Sequence, residues 1–187
     1  MPTRIILIRH GETQWNLEKR YMGLKDIGLN DKGIKQAKKL KVRLIKEKIS
    51  RVYSSDRKRA FKFAKIIFPD LPVEKKAALR EMNFGVFQGL TYKENMKKYP
   101  KLYSDWLNNP SSTAIPGGDS LYDFRNRIKR FLKKIISLNK DKTIALVTHA
   151  GPIRIIISEI LKSKDIWNIN VAIASVNIIE YRGGNLG

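Results

Sequence analysis

Two apolar, β-branched runs in this chain each end in a histidine at a turn with glycine just after: Ile5-Ile6-Leu7-Ile8-Arg9-His10-Gly11 and Ile144-Ala145-Leu146-Val147-Thr148-His149-Ala150-Gly151. A short, continuously apolar run bounded by a turn is the pattern of a strand buried on both faces, which occurs in α/β sheets. Such sheets bind ligands just beyond the carboxyl ends of their strands, where both histidines fall. The chain has no other histidine. Arg9 adds a planar fork of donors suited to phosphate, and imidazole can serve as nucleophile or base near neutral pH.

Strand and helix signals alternate along the rest of the chain. Arg4 to Arg9 is the first strand. Asn30 is placed to cap a helix reaching about Lys48, with Ile34, Ala37, Leu40, Leu44 and Ile45 as its apolar stripe. Val52 to Ser54 predicts a short strand, followed by a helix through Ala60, Phe61, Ala64 and Ile67 that Pro69 stops. Val73 to Leu79 reads as an edge strand. Residues 84–118 are rich in aromatics and interrupted by Pro100, Pro110, Pro116, Gly117 and Gly118. They read as a loop-and-helix insertion of the kind that covers an active site. Ser120 caps a helix with the stripe Leu121, Phe124, Ile128, Phe131, Leu132 and Ile135; Thr143 to Thr148 is a strand; Pro152 opens a helix to about Leu161; Ser175 to Tyr181 closes the sheet. The alternation predicts one domain over residues 1–187, a three-layer α/β/α sandwich around a mostly parallel sheet.

Composition narrows the chemistry. The 187 residues include no cysteine, so thiolate nucleophiles, thiolate zinc sites and disulfides are excluded. Two histidines without cysteine are a poor ligand set for a metal, and the neighbouring arginines would repel a cation; no metal and no cofactor is expected. No apolar stretch has membrane-spanning length, and Met1-Pro2-Thr3-Arg4 runs straight into a strand, so a soluble, cytoplasmic protein is the expectation. The formal net charge is +21. Lys32, Lys35, Lys38, Lys39, Lys41, Lys46 and Lys48 fall on the polar face of one helix, which favours a solvated surface that steers an anionic substrate over a specific nucleic-acid site. A membrane partner is not expected, and a homodimer is left open.

The sequence resembles the histidine phosphatase superfamily, the phosphoglycerate-mutase-like group. Leu7-Ile8-Arg9-His10-Gly11-Glu12-Thr13 with Trp15-Asn16 carries its signature. Leu29-Asn30-Asp31-Lys32-Gly33 with Gln36-Ala37, Ser54-Ser55-Asp56-Arg57-Lys58-Arg59-Ala60, Glu81-Met82-Asn83-Phe84-Gly85 with Gln88-Gly89-Leu90, and Thr148-His149-Ala150-Gly151 follow in the family's order. The resemblance implies that His10 is a nucleophile forming a phosphohistidine. It implies that Arg9, Arg59 and His149 clamp the phosphoryl oxygens, with Thr13, Asn16, Gly23 and Ala150 at the phosphate site. Glu81 is then the proton donor to the leaving oxygen and, afterwards, the base that activates water.

Some residues keep a second reading. Arg57 stands where the family has an apolar residue and is expected to be an exposed bystander. Glu81 has an alternative as an ion-pair partner of Arg80, and Asn16 as a turn cap. Gly117-Gly118 reads as a flexible loop before it reads as a phosphate nest. Tyr92, Tyr99, Tyr103 and Trp106 either line a leaving-group pocket or pack a lid. Met22 replaces a hydroxyl residue and Phe84 a tyrosine, which weakens carboxylate recognition and favours a phosphomonoester hydrolase over a phosphoglycerate mutase. The spacing from Glu81 to Ile115-Pro116-Gly117-Gly118-Asp119-Ser120 resembles the α-ribazole phosphatase branch of cobalamin synthesis, with phosphoserine or a sugar phosphate next. The rival class is a non-catalytic module that reads a phosphorylated ligand.

Overall fold

In a computed structural model, which describes residues 2–162, 166 and 168–182, the chain forms an α/β domain. Its elements are β1 (Thr3–Arg9), α1 (Gln14–Leu17), α2 (Asp31–Leu44), β2 (Arg51–Ser54), α3 (Lys58–Ile67), β3 (Val73–Lys75), α4 (Tyr92–Lys98), α5 (Pro100–Asn108), α6 (Leu121–Leu138), β4 (Thr143–Thr148), α7 (Ala150–Leu161) and β5 (Val176–Tyr181), with single 3₁₀ turns at Ala77–Leu79 and Gly85–Phe87. The sheet order is β3-β2-β4-β1-β5. All pairings are parallel except β1 with β5.

Alternation along the two central strands sorts the core into two layers. Ile5 and Leu7 lie opposite Ile144 and Leu146 and pack into a cluster with Phe124, Ile128, Leu132, Ile153 and Ile156 of α6 and α7. Ile6, Ile8, Ala145 and Val147 face the other way, onto Ala37, Leu40 and Leu44 of α2 and Ala60, Phe63 and Ala64 of α3. With helices covering both faces, neither strand can carry polar side chains along its middle.

Where the boundaries differ from the sequence expectation, the causes are local. Helix α2 ends at Leu44 instead of continuing to Lys48, because Glu47 is drawn onto the guanidinium of Arg4 and the chain turns to enter β2. Strand β3 stops at Lys75, and the segment expected as strand to Leu79 folds into a 3₁₀ turn that buries Leu79 completely. Helix α7 begins at Ala150, two residues before Pro152, with His149 as its N-cap; proline in the first turn costs no hydrogen bond. The unforeseen α1 exists through a capping box: Thr13 Oγ1 accepts from Asn16 N–H while Asn16 Oδ1 accepts from Thr13 N–H.

Residues 84–118 contain two helices that pack on the domain. Thr91 and Glu94 cap α4 reciprocally, and Pro100 opens α5. Phe87, Tyr103 and Trp106 are buried in the same cluster as Ile5 and Leu7. Tyr21 hydrogen-bonds Tyr103 at 2.8 Å and meets Phe84 edge-on at 5.2 Å. Among the described residues no helix is long and apolar enough to cross a membrane.

Candidate active site

Strands β1 and β4 are neighbours, so the parallel sheet sets their terminal histidines side by side. The ring centroids of His10 and His149 are 5.1 Å apart at 67°. His10 N–H donates to the carbonyl of Thr148, and the His10 carbonyl accepts from Ala174 N–H, which fixes the backbone on both sides. The His10 ring is pinned at 2.7 Å between Nδ1 and the carbonyl of Gly11. A carbonyl only accepts, so Nδ1 carries the hydrogen and Nε2 keeps its lone pair for attack.

His149 is held in a defined tautomer as well. Arg59 Nε donates to its Nδ1 at 3.2 Å, so the hydrogen sits on Nε2 and donates to Ser55 Oγ at 2.9 Å. Both rings are held well below the ordinary histidine pKa, first by burial, then by Arg59 and, further off, Arg9. They are therefore neutral where the enzyme would work.

The cations are fixed by main-chain oxygens. Arg59, 1% exposed, donates through Nη1 to the carbonyl of Lys25 at 2.7 Å and through Nη2 to that of Gly23 at 2.8 Å. Burial lowers its pKa to about 10. Arg9 donates through Nη1 to the Val171 carbonyl at 2.6 Å, and its buried Nε has no hydrogen-bond partner among the described residues. Gly23 serves this arrangement with a positive φ of 49°, and a Cβ there would fall 2.1 Å from Gln88 Oε1.

Glu81 pairs with backbone, not with Arg80: its Oε1 accepts from Met82 N–H at 3.0 Å and its Oε2 from Gly151 N–H at 3.1 Å. Arg80 is engaged instead by Asp56. Gly151 lies in the first turn of α7, two residues after His149, and the carboxylate acts electrostatically on Arg9 and Arg59. A cavity of about 60 Å³ adjoins it, lined by Met82, Phe84, Phe124, Ala150, Arg154 and Ile166 among others.

Other expectations are revised. Arg57 is not an exposed bystander: its side chain is 20% exposed, and its buried Nε, with no hydrogen bond among the described residues, lies 3.9 Å from Asp56 Oδ1. As N-cap of α3 it turns back over Asp56, close enough for its charge to act on Arg59 and His149. Asn16 and Thr13 hydrogen-bond each other in capping α1, and Met22 Sδ lies 3.6 Å from Thr13 Oγ1. The Gly117-Gly118 turn packs against the acid loop: the Gly117 carbonyl accepts from Asn83 Nδ2 and Gly118 N–H closes on Ile115. Tyr103 and Trp106 are core residues, whereas Tyr92 is exposed.

Sequence reasoning did not assign Glu12, Gln36 or Ser55 a task. Glu12 accepts from Asn30 Nδ2 at 3.0 Å and Lys32 Nζ at 2.9 Å, while its N–H donates to Gln36 Oε1 at 2.8 Å. The start of α2 thus grips the loop that carries His10. Gly33 allows the approach, since a Cβ there would meet the Glu12 carbonyl oxygen at 2.2 Å. The recurrence of polar or small residues at Asn30, Gly33 and Gln36, every third position on one helix face, was the available signal.

A buried neutral histidine with one free nitrogen, a second histidine and two arginines around it, and a carboxylate at the rim form a site for phosphoryl chemistry. The profile of the histidine phosphatase superfamily (branch 1) matches residues 5–186. The chain belongs to this superfamily. Within it, the chain is 44% identical over 158 residues to phosphoglycerate mutase-like protein 4 of Arabidopsis thaliana, covering 80% of this chain and 67% of that one. It is 33% identical over 181 residues to phosphoserine phosphatase 1 of Hydrogenobacter thermophilus, covering 95% and 86%. Its fold matches the α-ribazole phosphatase of Shigella flexneri with a TM-score of 0.88 at 29% identity, covering 94% and 89%. It is a phosphatase of this superfamily.

Proposed function

We propose that the protein hydrolyses phosphomonoesters without a metal, through a phosphohistidine on His10. The observation that carries this is the His10 ring itself, tied through Nδ1 to Gly11 and left with a free Nε2 lone pair beside Arg9, Arg59 and His149. Nε2 attacks phosphorus, the bond to the ester oxygen breaks, and Glu81 gives its proton to the leaving alkoxide. Water then yields a proton to the Glu81 carboxylate while its oxygen attacks phosphorus, and the N–P bond breaks to release phosphate and restore His10. The arginines supply the positive charge that a metal gives in other phosphatases, and neutral His149 adds only its dipole.

Hydrolysis is favoured over mutase action. Met22 faces Thr13 with sulfur and Phe84 is packed edge-on against Tyr21 and Trp106, so neither offers a donor to a carboxylate. The small, mostly apolar cavity at Glu81 supports a compact leaving alcohol, and the 84–118 insertion reaches it at Phe84. The likeness to the α-ribazole phosphatase fold supports a second reading, α-ribazole 5'-phosphate. Rapid alkaline quenching during turnover should trap phosphate on His10, stable to alkali and labile to acid, and His10→Ala should abolish it. Label on serine or a carboxylate would refute the mechanism, and relative rates on phosphoserine, α-ribazole 5'-phosphate and sugar phosphates decide between the substrates.

A further inference from the structure

Glu81 lies in a stretch that belongs to no strand or helix, between the turns at Ala77–Leu79 and Gly85–Phe87. Its carbonyl groups cannot join a ladder and need other donors. One side chain supplies several, reaching back into the first of these turns. Arg127, on the 18-residue helix α6, donates through Nη1 to the carbonyls of Ala78 and Arg80, both at 2.9 Å, and through Nη2 to that of Glu81 at 3.1 Å. The carbonyl of Leu79 accepts from Thr148 Oγ1 at 2.6 Å, next to His149. Asp119 lies 3.5 Å from Arg127 Nη2 and also accepts from Asn83 N–H, tying the far end of the loop to the same guanidinium.

The clamp continues to the carboxylate. The Arg127 guanidinium stands 5.0 Å from the centre of the Phe124 ring. The edge of that ring packs on Gly151, where a Cβ would be 2.9 Å from Phe124 Cζ and 2.1 Å from Glu81 Oε1. Arg127 therefore holds the main chain of Glu81 directly, and through Phe124 it backs the glycine whose N–H holds the side chain.

We propose that Arg127 is the positioning residue of the proton donor: it sets where the Glu81 carboxylate stands relative to the ester oxygen, without touching substrate. The proposal rests on Glu81 being that donor. A misplacement of about 1 Å can cost roughly 10²-fold in rate. The loss should track the leaving group, because an alkoxide needs a proton as it departs and a nitrophenolate hardly does.

The test measures the single-turnover rate constant for phosphorylation of His10 in Arg127→Lys, Arg127→Gln, Glu81→Gln and the double variant Glu81→Gln with Arg127→Lys. Each is run with an alkyl phosphate and with para-nitrophenyl phosphate. Burst amplitude counts folded sites, so partial misfolding lowers the amplitude and leaves the rate constant readable. With the alkyl phosphate, Arg127→Lys and Arg127→Gln should slow phosphorylation by roughly 10- to 10²-fold, a fraction of the full worth of general acid catalysis. With para-nitrophenyl phosphate they should change it far less, and in the Glu81→Gln background Arg127→Lys should add nothing. Equal losses on both substrates, or a loss that multiplies that of Glu81→Gln, would overturn the role of Arg127. Equal losses on both substrates from Glu81→Gln itself would instead remove Glu81 as the donor, whatever Arg127 does.

Discussion

The two histidines make the protein's stability depend on pH in a window that no other side chain ordinarily covers. They are the chain's entire histidine content, both fully buried, and both have pKa values held well below 6.5 by burial and by Arg59. In the unfolded chain each takes up a proton as pH falls through about 6.5, whereas in the folded protein each stays neutral to a much lower pH. The unfolded state therefore binds more protons below that pH. The stability conferred by the neutral histidines is present in full above about pH 6.5 and is lost as pH falls towards their folded pKa values. Each contributes a slope of up to about 1.4 kcal/mol per pH unit below about pH 6.5, so from pH 7.5 to 5 the loss reaches at most about 2 kcal/mol per histidine and about 4 kcal/mol together. Against a typical total of about 5–15 kcal/mol, the urea midpoint should fall by a large fraction.

Urea unfolding at constant ionic strength, at half-unit steps from pH 7.5 to 5, measures this directly. His10→Gln and His149→Gln should each halve the pH slope, and the double variant should be nearly flat, whatever their stability at pH 7.5. A wild-type midpoint that does not move over this range, or a slope that persists in the double variant, would refute the assignment of both rings as buried and neutral.

Arg59→Ala should lower kcat/KM by roughly 10² to 10³, the cost of one well-placed charge-stabilising group. Arg57→Ala should cost less than about tenfold, because its charge acts through a partly screened, longer path; initial rates on one substrate compare the two. Activity should survive prolonged chelation, and activity lost to chelator and restored only by zinc or magnesium would exclude metal-free chemistry. Gly33→Ala should lower thermal stability by roughly 1–3 kcal/mol, as overpacking does. Helix propensity alone predicts a gain of about 1 kcal/mol, so calorimetry reads the sign.

The central strands and the histidine pair were legible because burial on both faces leaves an unbroken apolar run, and the parallel register does the rest. The ends of elements were not, because side chains distant in sequence set them. Glu47 stops α2 by reaching Arg4, and Leu79 stops β3 by turning into the core below Thr148. The same limit hid the Glu12 brace and the Arg127 clamp: each side chain acts on main-chain atoms whose position exists only after folding. Arg57 shows the converse error. A charge at an apolar position reads as surface, yet its long stem folded inward and left a buried Nε facing Asp56.

The arrangement of charge explains why the site suits a phosphate dianion. Burial weakens solvation of both Arg9 and Arg59, Arg57 and Arg9 further oppose the protonation of Arg59, and Arg154 opposes that of Arg9. Among the carboxylates, Glu81 acts on both arginines in the opposite sense and Asp26 acts on Arg59. Neutral histidines add dipoles and no further charge. Folding thus leaves a concentration of positive charge only partly compensated, held by the carbonyls of Val171, Gly23 and Lys25, which fix direction without neutralising it. A divalent cation entering there meets repulsion. A dianion relieves it, and because the donors are already oriented, the relief is not offset by reorganisation as charge builds on the phosphoryl oxygens. The net charge of +21 extends the same preference outward, raising the rate at which anionic esters arrive.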